Sequence, residues 1–159
     1  MTQRIDYVKL SPELAKKYTE FSMAAKASPI GPTIKHLVDL RASQLNGCAF
    51  CVDMHVKEAK IHGERELRLH HVAVWRESPL FDERERAALE WTEALTKLGA
   101  HGVPDEIYDK VRAVLSEKEL SDLSFIVAAI NGWNRMSVGF TVVPGSMDGP
   151  YGLAKSGLS

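Results

Sequence analysis

Two cysteines in 159 residues are too few for the framework of bridges that holds small secreted domains together. None is needed, because a chain of this length buries roughly 70% of its unfolded surface in one core. Neither charge is in excess: 20 Lys and Arg against 21 Asp and Glu leave a net charge of −1, which excludes the basic field that holds nucleic acid or anionic lipid. No run approaches the ~18 apolar residues of a membrane span, and the opening MTQRIDYVKLSPELAKKYTE lacks the apolar centre of a signal peptide. Fingerprints for flavin, haem or nicotinamide are missing, as are internal repeats, low-complexity blocks and linkers. These absences predict a cytoplasmic chain folded as one domain over 1–159, with no nucleic-acid or membrane partner and no bound cofactor. In a reducing cytosol, two cysteines spaced three residues apart point to redox chemistry or metal binding.

What the sequence has is helical periodicity. Ser11 with Pro12 opens a first helix that carries Leu14, Tyr18 and Phe21 on one face and frays near Ser28-Pro29. A second helix runs from about Pro32 to Asn46-Gly47, a pair suited to left-handed backbone angles. CAFCVDMHVKEAKIHG reads as a third, closed by Gly63, and Glu64 to about Glu77 as a fourth. Asp82 with Glu85 resembles a capping box for a helix through Leu98, Pro104 begins a shorter one ending near Leu115, and Ser116 with Glu119 caps a final long helix. The tail, 142–159, with Pro144, Gly145, Gly149, Pro150, Gly152 and Gly157, reads as irregular. SQLNGC and AAINGWNR both place Asn-Gly after an apolar helical run. The fold class expected is all-α.

If Cys48 begins a helix, the unpaired N–H groups and the positive end of the macrodipole favour a thiolate at Cys48 or Cys51. The spacing sets the sulfurs on neighbouring positions of one turn, within reach of a bond after modest adjustment. His55 stands four residues after Cys51 on the same face, where its imidazole reaches that sulfur directly or through a water. The three residues read as nucleophile, resolving thiol and base. The competing readings are small buried cysteines with a packed histidine, or zinc with His62 or His36 as fourth ligand, against which stands the lack of a second knuckle. His70 and His71 point apart on a helix, and His101 falls in a loop. Trp75, Trp91, Trp133, Met54 and Met136 read as packing residues rather than a substrate channel, and the run 82–86 as a solvated helix start.

The segments RASQLNGCAFCVDMHVKEAKIHGE, WRESPLFDERERAALEWTEALT and AAINGWNR closely resemble the AhpD-like alkylhydroperoxidase branch of the carboxymuconolactone decarboxylase family, over nearly the whole chain. The resemblance implies an AhpD-like helical bundle assembled as a homo-oligomer, trimer or hexamer. It implies that Cys51 is the peroxidatic cysteine and Cys48 the resolving one, with His55 as base and proton relay. It implies a hydroperoxide substrate and an external dithiol reductant, a lipoyl group or a thioredoxin-like protein. Where the peroxidases have a relay glutamate twelve residues before the first cysteine, this chain has His36, a candidate relay of different charge and reach, and it has Phe50 where they have a histidine between the cysteines. Glu58 and Glu90 are further carboxylates that could approach the thiols. The alternatives are a thiol–disulfide oxidoreductase, a redox sensor without turnover, and decarboxylase-like chemistry independent of the cysteines.

Overall fold

The longer helices start where the sequence supplies a cap or a proline. In the computed structural model, which describes residues 2–158, α1 (Tyr7–Leu10) is capped by the Asp6 side chain. Both α2 (Pro12–Lys26) and α3 (Pro32–Leu45) open on proline, whose missing N–H costs nothing in a first turn. α4 (Ala49–Ile61) takes Cys48 as its N-cap, and α5 (Glu66–His71) runs into a 3-10 turn at Val72–Val74. α6 (Glu83–Thr96) and α8 (Glu117–Gly139) carry the two capping boxes, with both reciprocal hydrogen bonds made in each. Between them lies α7 (Asp105–Arg112), and α9 (Asp148–Tyr151) stands near the end of the chain. Among the described residues there is no strand beyond an isolated bridge between Gly99 and Gly102, so the fold is all-α as expected.

The centre is α3, which packs against α4, α6 and α8. Ile34 and Val38 enter a core shared with Trp91, Leu115, Leu123 and Ile126. Leu37 and Leu40 enter another, with Leu69, Val72, Trp75 and Leu89. A helix apolar on both flanks belongs inside, and it carries His36, Asp39 and Ser43 inside with it. Such buried polar groups need partners: His36 meets His62 at the end of α4, Asp39 meets Lys26 of α2 beside His55, and Ser43 bonds the Asp39 carbonyl and Asn134 of α8.

α3 ends in a Schellman motif: the Gly47 N–H donates to the Gln44 carbonyl at 3.2 Å and the Cys48 N–H to the Ser43 carbonyl at 3.0 Å, with Gly47 at φ 65°. One residue therefore ends α3 and caps α4, which fixes where the thiol pair begins. Asn46 extends this anchor, donating to the side-chain oxygens of Asn131 and Asn134, each at 2.9 Å. The two Asn-Gly echoes thus meet in space, though with different fates, since Asn131-Gly132 lies within α8.

Gly132 is required there by close approach. A Cβ at this position would lie 1.9 Å from the Tyr18 hydroxyl oxygen, which is 2.9 Å from the Ala129 carbonyl it donates to. We expect Gly132→Ala to displace the Tyr18 ring and destabilise the protein by about 1–3 kcal/mol. Urea unfolding checks this, and an unchanged midpoint would show that the α2–α8 contact is soft.

Several details depart from the sequence reading. Ser11 occupies the N-cap of α2 but makes no side-chain hydrogen bond, because α1 ends on it. Leu14 is 73% exposed and does not join the core. The helix expected from Glu64 to about Glu77 is cut to α5 and the 3-10 turn, as Trp75 turns into the core and donates to Glu93 at 2.8 Å. α6 stops at Thr96, leaving Leu98 outside. The run 82–86 is not wholly solvated, since Glu85 is buried against Arg68. Segment 142–158 holds α9 and a 3-10 turn at Leu153–Ser156, and it lies back on α4. Lys57, buried on α4, is the reason: it needs counter-charges and finds Asp53 at 2.9 Å and Asp148 at 2.7 Å.

Candidate active site

Both cysteines are buried, each 1% exposed, at the start of α4, and their sulfurs are bonded to each other. Cys48 is the cap and Cys51 sits in the first turn, its N–H donating to the Cys48 sulfur at 3.3 Å. A sulfur in this position faces free backbone N–H groups, which stabilise a thiolate. The surroundings differ for the two. Cys51 lines a cleft of about 1270 Å³ together with His55 and Glu58, whereas Cys48 does not reach it. Phe50, Met54, Ile61 and Trp133 give that cleft apolar walls, and Tyr151 and Leu153 of the C-terminal segment close one side. Trp133 and Met54, read from the sequence as packing residues, therefore border the space above Cys51.

His55 is held from one side of its ring. Its Nδ1 lies 3.0 Å from the Glu58 carboxylate and 3.8 Å from that of Asp39. A carboxylate in its charged form can only accept, so Nδ1 carries the proton. Nε2, which is buried with no hydrogen-bond partner, is left as the basic nitrogen. Lys26, the last residue of α2, reaches across with its ammonium 2.9 Å from Asp39 and 3.7 Å from Glu58. Burial pushes the Glu58 carboxyl up, but the His55 hydrogen bond and the Lys26 ammonium outweigh it and hold the group at about 2. Burial likewise works against the Lys26 ammonium, and the two carboxylates raise its pKa despite it.

His36 stands elsewhere. Its Nε2 is 2.9 Å from His62 Nδ1, with the rings stacked at 4.9 Å. Burial drives its pKa below the ordinary 6.5; the Glu58 charge opposes this and His62 adds to it. His36 borders a second, polar cleft of about 620 Å³, and His62 borders both that cleft and the one above Cys51. Glu90 is bound to Lys110 at 2.6 Å and lines neither cleft. The zinc set imagined from the sequence is not gathered, because the sulfurs bond each other and His36 bonds His62. Among the described residues, Asp39, His55 and Glu58 offer ligand atoms within 4.8 Å of one another, but Lys26 already brings a positive charge to them.

The sequence reading brought Cys48, Cys51 and His55 together and named Glu58 among other acids. It missed Asp39 and Lys26. Asp39 did leave a signal, as a charged residue between Val38 and Leu40 in a helix apolar on both flanks, where an unpaired charge is not tolerated. Lys26 left none, since only the tertiary fold brings the end of α2 to this spot.

Comparison with known proteins is consistent with this architecture. Residues 12–94 match the model of the carboxymuconolactone decarboxylase family. The uncharacterized protein YdfG of Bacillus subtilis (strain 168) is 40% identical over 138 residues, covering 87% of this chain and 94% of that protein. Among crystal structures, ATU0492 from Agrobacterium tumefaciens, described as a protein of unknown function and a candidate antioxidant defence protein AhpD, is 43% identical with a TM-score of 0.87. That match covers 90% of this chain and 98% of ATU0492. The debrominase Bmp8 in its apo form has a TM-score of 0.79 at 20% identity, covering 94% of this chain and 79% of Bmp8; that likeness is one of fold.

Proposed function

The chain belongs to the carboxymuconolactone decarboxylase family, and on that premise we propose that it is an AhpD-like thiol peroxidase, reducing hydroperoxides through a dithiol/disulfide cycle of Cys48 and Cys51. The observation that carries this reading is the asymmetry of the pair: Cys51 faces the cleft beside His55, while Cys48 lies behind it. A substrate entering that cleft meets one sulfur only.

In the cycle, His55 Nε2 takes the Cys51 proton. The thiolate attacks the distal peroxide oxygen, the O–O bond breaks, and the alkoxide leaves as an alcohol on receiving a proton. Cys51 is now a sulfenic acid. The Cys48 thiol attacks its sulfur, water leaves, and the disulfide forms. An external dithiol then returns two electrons and two protons by thiol exchange. With both sulfurs buried, a slender lipoyl arm fits the access better than the face of a thioredoxin-like protein. His36 serves as a relay through His62, which borders the cleft above Cys51 as well as the polar one. No separate cofactor enters the cycle. Exposed Leu10, Leu14 and Met23 on α1 and α2 support assembly as a trimer or hexamer, and a cysteine pair that must be reduced each turn suits the cytoplasm.

Stopped-flow oxidation of the reduced protein by cumene hydroperoxide, with mass spectrometry of the product, tests this reading. We expect a Cys48–Cys51 disulfide to form about 10²-fold or more faster than a free thiol reacts, the scale that a positioned base contributes. Oxidation at the rate of a free thiol would contradict it, and disulfide exchange without peroxide reactivity would mark a thiol–disulfide oxidoreductase instead.

A further inference from the structure

We infer that Asp39 is a positioning residue for the cysteine reaction, acting on Cys51 through His55, with Lys26 as its counter-ion. The inference rests on the reading above only in taking Cys51 as the reacting thiol. Asp39 comes from the central helix and His55 from α4; both side chains are 2% exposed, and the carboxylate lies 3.8 Å from Nδ1. Water does not screen a pair placed so. When Nε2 receives the Cys51 proton the ring becomes a nearly buried cation, and the charges beside Nδ1 decide how readily that happens. Glu58 supplies the hydrogen bond at 3.0 Å but is 29% exposed. Asp39 supplies the charge that cannot swing away.

Two carboxylates converging on one ring nitrogen repel each other. Lys26, bridging both from a third helix, offsets that repulsion with its positive charge. The groups facing His55 are then Asp39 from α3, Cys51 and Glu58 from α4 and, beyond the carboxylates, Lys26 from α2. The His36–His62 pair lies past Glu58, and Lys155 borders the same cleft from the C-terminal turn.

The sign of the effect separates this role from others. Removing a negative charge that acts directly on the sulfur makes the thiolate easier to form. Removing one that acts through His55 makes it harder, because the imidazolium that accompanies the thiolate loses its support. For Lys26 both signs reverse.

The test is iodoacetamide alkylation of Cys51 against pH, in reduced Cys48→Ser protein, where serine keeps the N-cap of α4. We expect Asp39→Asn to displace the midpoint to higher pH and to slow alkylation about tenfold near neutral pH, equivalent to about 1.4 kcal/mol. Lys26→Gln should displace it to lower pH. In a His55→Asn background, Asp39→Asn should no longer raise the midpoint. A fall or no change with Asp39→Asn overturns the inference; should that variant fail to fold, a rise or no change with the half-exposed Lys26→Gln does so. No peroxide is used, so failure of the peroxidase reading appears in a different experiment.

Discussion

Cys51→Ser should lose peroxide turnover altogether, by about 10³-fold or more, while Cys48→Ser should lose turnover but keep the first oxidation. The two substitutions look alike in sequence, three residues apart, and differ only in what each sulfur faces. Cys51 stands in the first turn of α4 and borders the cleft with His55. A serine hydroxyl there is not ionised near neutral pH and is not a nucleophile toward peroxide, so nothing replaces the lost thiolate. At position 48 a serine still caps α4, and caps it well, but its oxygen cannot reduce a sulfenic acid. The oxidised Cys51 then stalls and drifts to sulfinic acid with excess peroxide. Single-turnover and steady-state assays of the two variants distinguish these outcomes. Equal loss of the first oxidation in both would mean that the cleft does not select the reacting sulfur.

The largest expected effect on stability lies away from the thiols. The Arg68 side chain, 10% exposed, bonds Glu64 at 2.9 Å, Glu85 and the Leu80 carbonyl, and covers the Phe81 ring at 5.0 Å. Glu85 is itself 9% exposed and caps α6 through the Asp82 N–H at 2.9 Å. Replacing Arg68 with methionine keeps much of the apolar stem but leaves a buried carboxylate without its partner. Breaking such a pair costs about 3–5 kcal/mol, which lowers Tm by about 6–20 °C for a domain of this size. Glu85→Gln should cost less, since the amide oxygen still accepts the capping bond. A loss below about 1 kcal/mol for Arg68→Met would show that the network behaves as a surface bridge.

The sequence disclosed those elements whose signals are local. Capping boxes at Asp82 and Ser116, prolines at 12 and 32 and the glycines at 47 and 63 are decided within four residues, and each stands where it was read. Helix lengths were less legible. α6 and the expected fourth helix are shortened because Thr96 and Trp75 answer to core packing, which overrides propensity. The C-terminal segment looked irregular because its helical turns are too short to show periodicity; it is ordered by Lys57, whose need for partners depends on being buried. Cys48, Cys51 and His55 were readable because they share one helix. Asp39 and Lys26 come from two others and join only when α2 and α3 pack on α4.

The measurement that bears most directly on the central claim is the site of first oxidation. Reduced Cys48→Ser protein, given one equivalent of cumene hydroperoxide and trapped with dimedone, should carry the adduct on Cys51. Cys51→Ser treated in the same way should carry none on Cys48. An adduct on Cys48, or on neither cysteine, would contradict the account.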